Sequence, residues 1–146
     1  MQNSLALTIF AGVSVFVVGQ FVLKLVLEPI VALKETLGEV SHLFLFHQAK
    51  ITNANGTPEL QEEVKRMSAK ILAKKEAIPG YKMFAWLFGL PREQSVVDAC
   101  RALNYISYLL LERPSESDGR VDRPGEIYDA MRQLQQRLRV RISYEE

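Results

Sequence analysis

Between Leu5 and Leu23 the chain reads LALTIFAGVSVFVVGQFVL, 19 residues without a charge. Only Thr8, Ser14 and Gln20 interrupt the apolar run. At about 1.5 Å per residue, a helix of this length reaches about 28 Å, close to the roughly 30 Å of a bilayer's hydrocarbon core. A backbone in lipid must satisfy its own hydrogen bonds, which a single segment achieves only as a helix. The block also explains a mean hydropathy of zero in a chain with 24% charged residues.

A cleaved signal peptide would bring a basic N-terminal region, a shorter apolar stretch and a small-x-small cleavage site. The leading MQNS has no Lys or Arg. A retained anchor over residues 1–28 is therefore expected, with residues 29–146 as a second domain. All basic residues follow the block, Lys24 first, and the positive-inside rule then puts the C-terminal domain in the cytoplasm and the N-terminus outside. The expected location is a bacterial inner membrane, crossed once.

One face of the span is small. Ser4, Thr8, Gly12, Val15 and Gly19 step by 4, 4, 3 and 4, with Ala11 beside them and Gln20 at the edge. Small residues let membrane helices approach, and a buried amide seeks a partner on a neighbouring helix. A homo-oligomer follows as one reading, with Thr8, Gly12, Val15, Gly19, Gln20 and Lys24 lining a contact or pore. A monomeric anchor is the other.

Beyond the block the pattern is amphipathic. Pro29 marks a place where the membrane helix should end or kink. Ile30, Leu33, Leu37, Val40, Phe44 and Ile51 then share a helical face reaching about Thr52. NANG (residues 53–56) reads as a turn. Thr57, Pro58 and Glu59 form a helix start, and Leu60, Val64, Met67, Ile71 and Ile78 its stripe, ended by IPG. A helix from about Glu93 to Glu112 carries Val96, Val97, Cys100, Leu103, Ile106 and Leu110 on one face. The polar RPSESDGRVDRPG reads as a loop, and Ile127, Met131, Leu134 and Leu138 as the stripe of a last helix over about Pro124–Val140. No period-2 pattern or internal repeat occurs. The fold class is all-α: one transmembrane helix and a small bundle of about four helices.

YKMFAWLFGL (residues 81–90) is too short to span a bilayer as a helix. Its rings and flanking Lys suit a membrane interface, with Tyr81, Phe84, Trp86 and Phe88 as contacts. Core filling and a subunit interface remain open. The region from Val64 to Arg92 carries seven basic residues against Glu76 alone, a net of +6, and Arg120–Arg141 a net of +3. Lys70, Lys74, Lys75, Lys82, Arg132, Arg137 and Arg139 are thus candidate contacts for anionic lipid, or for a nucleotide or oligonucleotide. No Gly-rich phosphate loop accompanies them, and a solvated basic surface is the plain alternative.

Catalytic signals are weak. Glu35, Glu39 and His42 line one stripe, and EVSH is a Glu-x-x-His, yet a di-iron site needs a second such motif. The stripe lies opposite the apolar face and should be solvated. The single Cys100 permits no internal disulfide and reads as a buried small residue. No cofactor, no metal and no enzymatic activity are expected.

GEVSHLFLFHQAKITN, AKKEAIPGYKMFA and LPREQSVVDACRALNYIS together resemble uncharacterised small bacterial single-pass membrane proteins with a helical cytoplasmic domain. The resemblance covers most of Leu5 to about Ser107 and implies no activity. In architecture the chain is also similar to small membrane effectors of bacterial anti-phage systems, which pair a membrane helix with a cytoplasmic sensor and act as oligomers. Two functions follow as expectations: an oligomeric, channel-like effector regulated through its helical domain, or an anchored adaptor recruiting a protein partner.

Overall fold

The structure, a computed structural model, describes residues 2–111 and 122–144. Most of the stretch expected as a polar loop lies outside the described residues. Helix α1 covers Gln2–Val22, a π-helical turn Leu23–Leu27, and α2 Glu28–Phe46. The short α3 (Gln48–Thr52) follows, then α4 (Pro58–Glu76), α5 (Tyr81–Phe88), α6 (Glu93–Leu111) and α7 (Arg123–Leu138). The chain is all-α, with one N-terminal apolar helix long enough to span a membrane, followed by a small helical bundle.

The apolar helix does not stop at Pro29. It continues as one 42-residue element from Leu5 to Phe46. In a regular α frame the proline ring would strike the carbonyl of Leu25 and offer it no N–H. The π turn relieves this: Glu28 N–H donates to Leu23 O, five residues back, so the frame widens ahead of the proline. The helix expected to run on to Thr52 breaks instead at His47, whose φ of −103° and ψ of 17° leave the α region.

Burial begins around Val26 and Leu27, and Ile30 is the first fully enclosed side chain. From there Leu33, Leu37, Val40 and Phe44 recur every three or four residues and turn inward, as one face of an α-helix must. Leu43 and Thr36 join them, the Thr36 hydroxyl being satisfied by Ala32 O at 2.9 Å. Thr57 caps α4 by accepting from Leu60 N–H. Asp122 caps α7 by accepting from Gly125 N–H.

The long helices alternate in direction. Lys70 on α4 pairs with Glu39 on α2, and Ser68 on α4 bonds Cys100 on α6. Arg137 and Asp98 join α7 to α6. The result is an up-down-up-down arrangement in which α6 packs between α4 and α7 while α2 lies on α4. Ser68 and Cys100 hold the α4–α6 seam reciprocally: Ser68 Oγ donates to Cys100 O at 3.0 Å, and Cys100 Sγ to Ser68 O at 3.4 Å. Cys100 is buried, as expected of a small residue on an inward helix face, and burial raises its thiol pKa. Past α7 the chain reverses at Arg139, and Ile142 is enclosed in the core.

Candidate functional site

The span presents its residues outward on every side. Thr8, Gly12, Val15, Gly19, Gln20 and Lys24 are all exposed. A β-carbon built on Gly12 or Gly19 would meet nothing within 4 Å. Nothing in the same chain therefore packs on the small face at these glycines, and the π turn sets its direction relative to the bundle.

The second element with exposed apolar surface is α5. Gly80 (φ 62°) and Gly89 (φ 66°) bracket it in left-handed turns, a conformation that glycine adopts without a β-carbon clash. Between them the helix divides. Tyr81 and Ala85 are buried, and Phe84 and Phe88 are half-buried, their rings 6.3 Å apart. Lys82, Met83, Trp86 and Leu87 face outward, Trp86 with 84% of its surface exposed. The expected interfacial set is thus corrected. Tyr81 is a core residue whose hydroxyl donates to Pro91 O at 2.7 Å, and burial pushes its pKa up to about 12. Of the four aromatics, Trp86 alone is oriented outward, and Met83 and Leu87 accompany it. In this stretch Lys82 is the one charged residue, so the sequence offers a single mark of the outward side, four residues before Trp86, and no full polar face.

Lys75 is the second correction. Its side chain keeps 6% exposure and its Nζ lies 2.7 Å from both Glu76 Oε1 and Glu93 Oε1, and 5.8 Å from the centre of the Tyr81 ring. The hydrogen bonds that Lys75 donates to Glu76 and then to Glu93 raise its pKa, and the bond from Lys75 lowers that of Glu93. Such a lysine is neutralised within the fold and offers nothing to an external anion. The sequence held the signal: Val64, Ser68, Ile71, Lys75 and Ile78 are one inward stripe, and Lys75 occupies a core position in it.

The remaining cations do not converge on one site. Lys70 is paired with Glu39, Arg137 with Asp98, and Arg132 borders a hollow beside Gln48 and Thr52. Lys74 is half-exposed on α4. Lys82 and Arg139 do share one cleft, and Arg92, not among the sequence candidates, lines it with them. The three border a cleft of about 590 Å³ with Trp86, Leu90 and Glu93. Glu35, Glu39 and His42 are exposed as expected, and no group of three potential metal ligands occurs among the described residues.

Comparison with protein-family models, with curated proteins and with solved structures finds no match. The chain is a membrane-associated, mostly helical protein with a distinct helical domain beyond the one candidate span among the described residues.

Proposed function

We propose that the protein is a homo-oligomeric inner-membrane effector, channel-like in action, whose cytoplasmic helical domain governs the state of its span. The observation carrying this reading is the unbroken helix from Leu5 to Phe46. Its apolar half is exposed at every residue from Leu5 to Leu23 but the half-exposed Ser14, and its other half is a core helix of the bundle. A flexible tether would isolate a domain from its anchor. A shared rigid helix passes any tilt or rotation of the bundle directly to the span. The Lys and Arg distribution supports a cytoplasmic domain, and the resemblance in architecture supports a role in anti-phage defence.

The regulator must bind the two states of the bundle differently to gate anything. Ion pairing of Lys70, Lys75 and Arg137 favours a protein regulator over a nucleotide or oligonucleotide. The role is non-enzymatic: the lone thiol is buried and its pKa raised, which opposes nucleophilic use.

Reconstituted protein should show a defined subunit count by native mass spectrometry and an ion flux across vesicles. Gln20→Leu should reduce the flux, because Gln20 is the amide at the edge of the small face. A monomer without flux would overturn the proposal. An anchored adaptor is the second reading, favoured by Phe46. This ring is 73% exposed at the end of α2 away from the span, stacked on His42 at 5.8 Å and edge-on to His47 at 4.7 Å, and is placed to meet a protein partner.

A further inference from the structure

The antiparallel register fixes where α5 sits. Lys70 on α4 is level with Glu39 on α2, so Glu76, six residues on, is level with about Leu33. Lys75 meets Glu93, which brings the start of α6 to the same level. Helix α5 therefore joins α4 to α6 at the end of the bundle from which the span leaves. At about 1.5 Å per residue, that level is about 15 Å along the helix from Leu23, where the uncharged apolar run ends.

At this end Met83, Trp86 and Leu87 are exposed, at 62%, 84% and 61%. Around them stand Lys82, with an 88% exposed side chain, and Arg92 and Arg139 on the adjoining cleft. The neighbouring carboxylate, Glu93, is held by Lys75 at 2.7 Å and lies 3.9 Å from Lys82. An apolar face with a tryptophan, rimmed by cations and lying beside a span, has the composition of a segment resting at headgroup depth.

We propose that this end of the bundle docks on the bilayer surface. Met83, Trp86 and Leu87 enter the headgroup boundary, and Lys82, Arg92 and Arg139 meet anionic phospholipid. Docking fixes the tilt of the bundle against the span. The inference rests on the span being in the membrane and not on oligomerisation, so it can fail or hold independently of channel activity.

Trp86 is the only tryptophan in the chain, so its fluorescence reports on this site alone. The full-length protein would be placed in nanodiscs of zwitterionic lipid with or without phosphatidylglycerol, and Trp86 emission read with lipids brominated at shallow depth. The expected result is blue-shifted emission and strong quenching in anionic discs, and less of both in zwitterionic ones. Each cation near an anionic surface weighs about fivefold in partition. Lys82→Gln with Arg92→Gln should therefore lower the docked fraction about 25-fold and shift emission towards that of a water-exposed ring. Both side chains are exposed, and an unchanged melting temperature would show that the bundle is intact. Emission typical of water with no lipid quenching would overturn the proposal. So would equal quenching with and without anionic lipid. Blue-shifted emission without lipid quenching would overturn it too, by showing that a protein surface, such as a second copy, covers Trp86.

Discussion

Lys75 carries its charge into a site where its side chain keeps only 6% exposure, and two carboxylates meet it there. The consequence for pH follows from the direction of each shift. The raised Lys75 pKa means the folded state holds this proton more tightly than the unfolded chain. That contribution is complete below about pH 10.4, the unfolded value, and disappears as pH rises through the folded one. The lowered Glu93 pKa works in the opposite sense: its contribution is present above about pH 4.3 and is lost as pH falls through the folded value. Thermal melts against pH should show stability falling on both limbs, and Lys75→Met should flatten them both. Limbs as steep in the variant as in the parent would show that other groups control them. Gly56 supplies a different prediction. A β-carbon there would stand 2.7 Å from Leu110 Cβ and 3.0 Å from the Leu110 carbonyl oxygen. Backbone must move to admit it, so Gly56→Ala should cost about 1–3 kcal/mol in denaturant unfolding. The sequence marked Gly56 only as a turn residue, because the approach of α6 is a tertiary fact. Lys75 was legible, since it stands four residues after Ile71 in the apolar stripe of α4, but its charge alone reads as an anion contact.

At the scale of elements the π turn is the feature with mechanical meaning. It places one residue more between span and bundle than a continuous α frame would hold, which turns the faces of α1 relative to those of α2. Deleting Leu25, which is exposed, should let a regular α turn replace the wider one and leave the span facing nearly as before, because a π turn holds about one residue more per revolution than an α turn. Distances between spin labels at Val18 and Asn104 should then stay within about 1–2 Å of the parent's while the bundle melts at its usual temperature. A shift of several ångströms, the mark of a rotation of about 100°, would mean that the proline imposes the wider turn again elsewhere. The amphipathic helices were legible because each shows one apolar face: the stripes of α2, α4, α6 and α7 turn inward much as their spacing implies. Three things were not legible. Proline at position 29 implies strain, and whether a helix answers by ending, kinking or widening depends on what each side packs against. Here the bundle holds α2 from Ile30 onward, so the helix persists. The break at His47 carries no Gly or Pro signal. The facing of α5 was ambiguous because its residues are apolar almost all round, and the core is filled by whichever side α6 and the neighbouring turns accept.

For the molecule as a whole, the architecture followed from one apolar block and a set of amphipathic stripes, whereas assembly depends on surfaces that a single copy leaves open. The span offers such a surface along Thr8, Gly12, Val15 and Gly19, and its glycines allow a discriminating experiment. Nothing in the same chain lies within 4 Å of a β-carbon at Gly12 or Gly19. Replacing both with leucine therefore creates no clash inside the protomer, and leucine is the better helix former by about 0.5–1 kcal/mol per site. Any loss must arise between copies, where the small residues would let helices approach. If the subunits pack through this face, Gly12→Leu with Gly19→Leu should lower the subunit count in native mass spectrometry and abolish the ion flux. The melting of the bundle and the emission of Trp86 should stay as they were. A full subunit count in the double variant would refute self-association through this face and leave the span as an anchor for the domain it carries. If the count is kept and flux alone is lost, the copies are held together elsewhere, and the span face serves conduction without serving assembly.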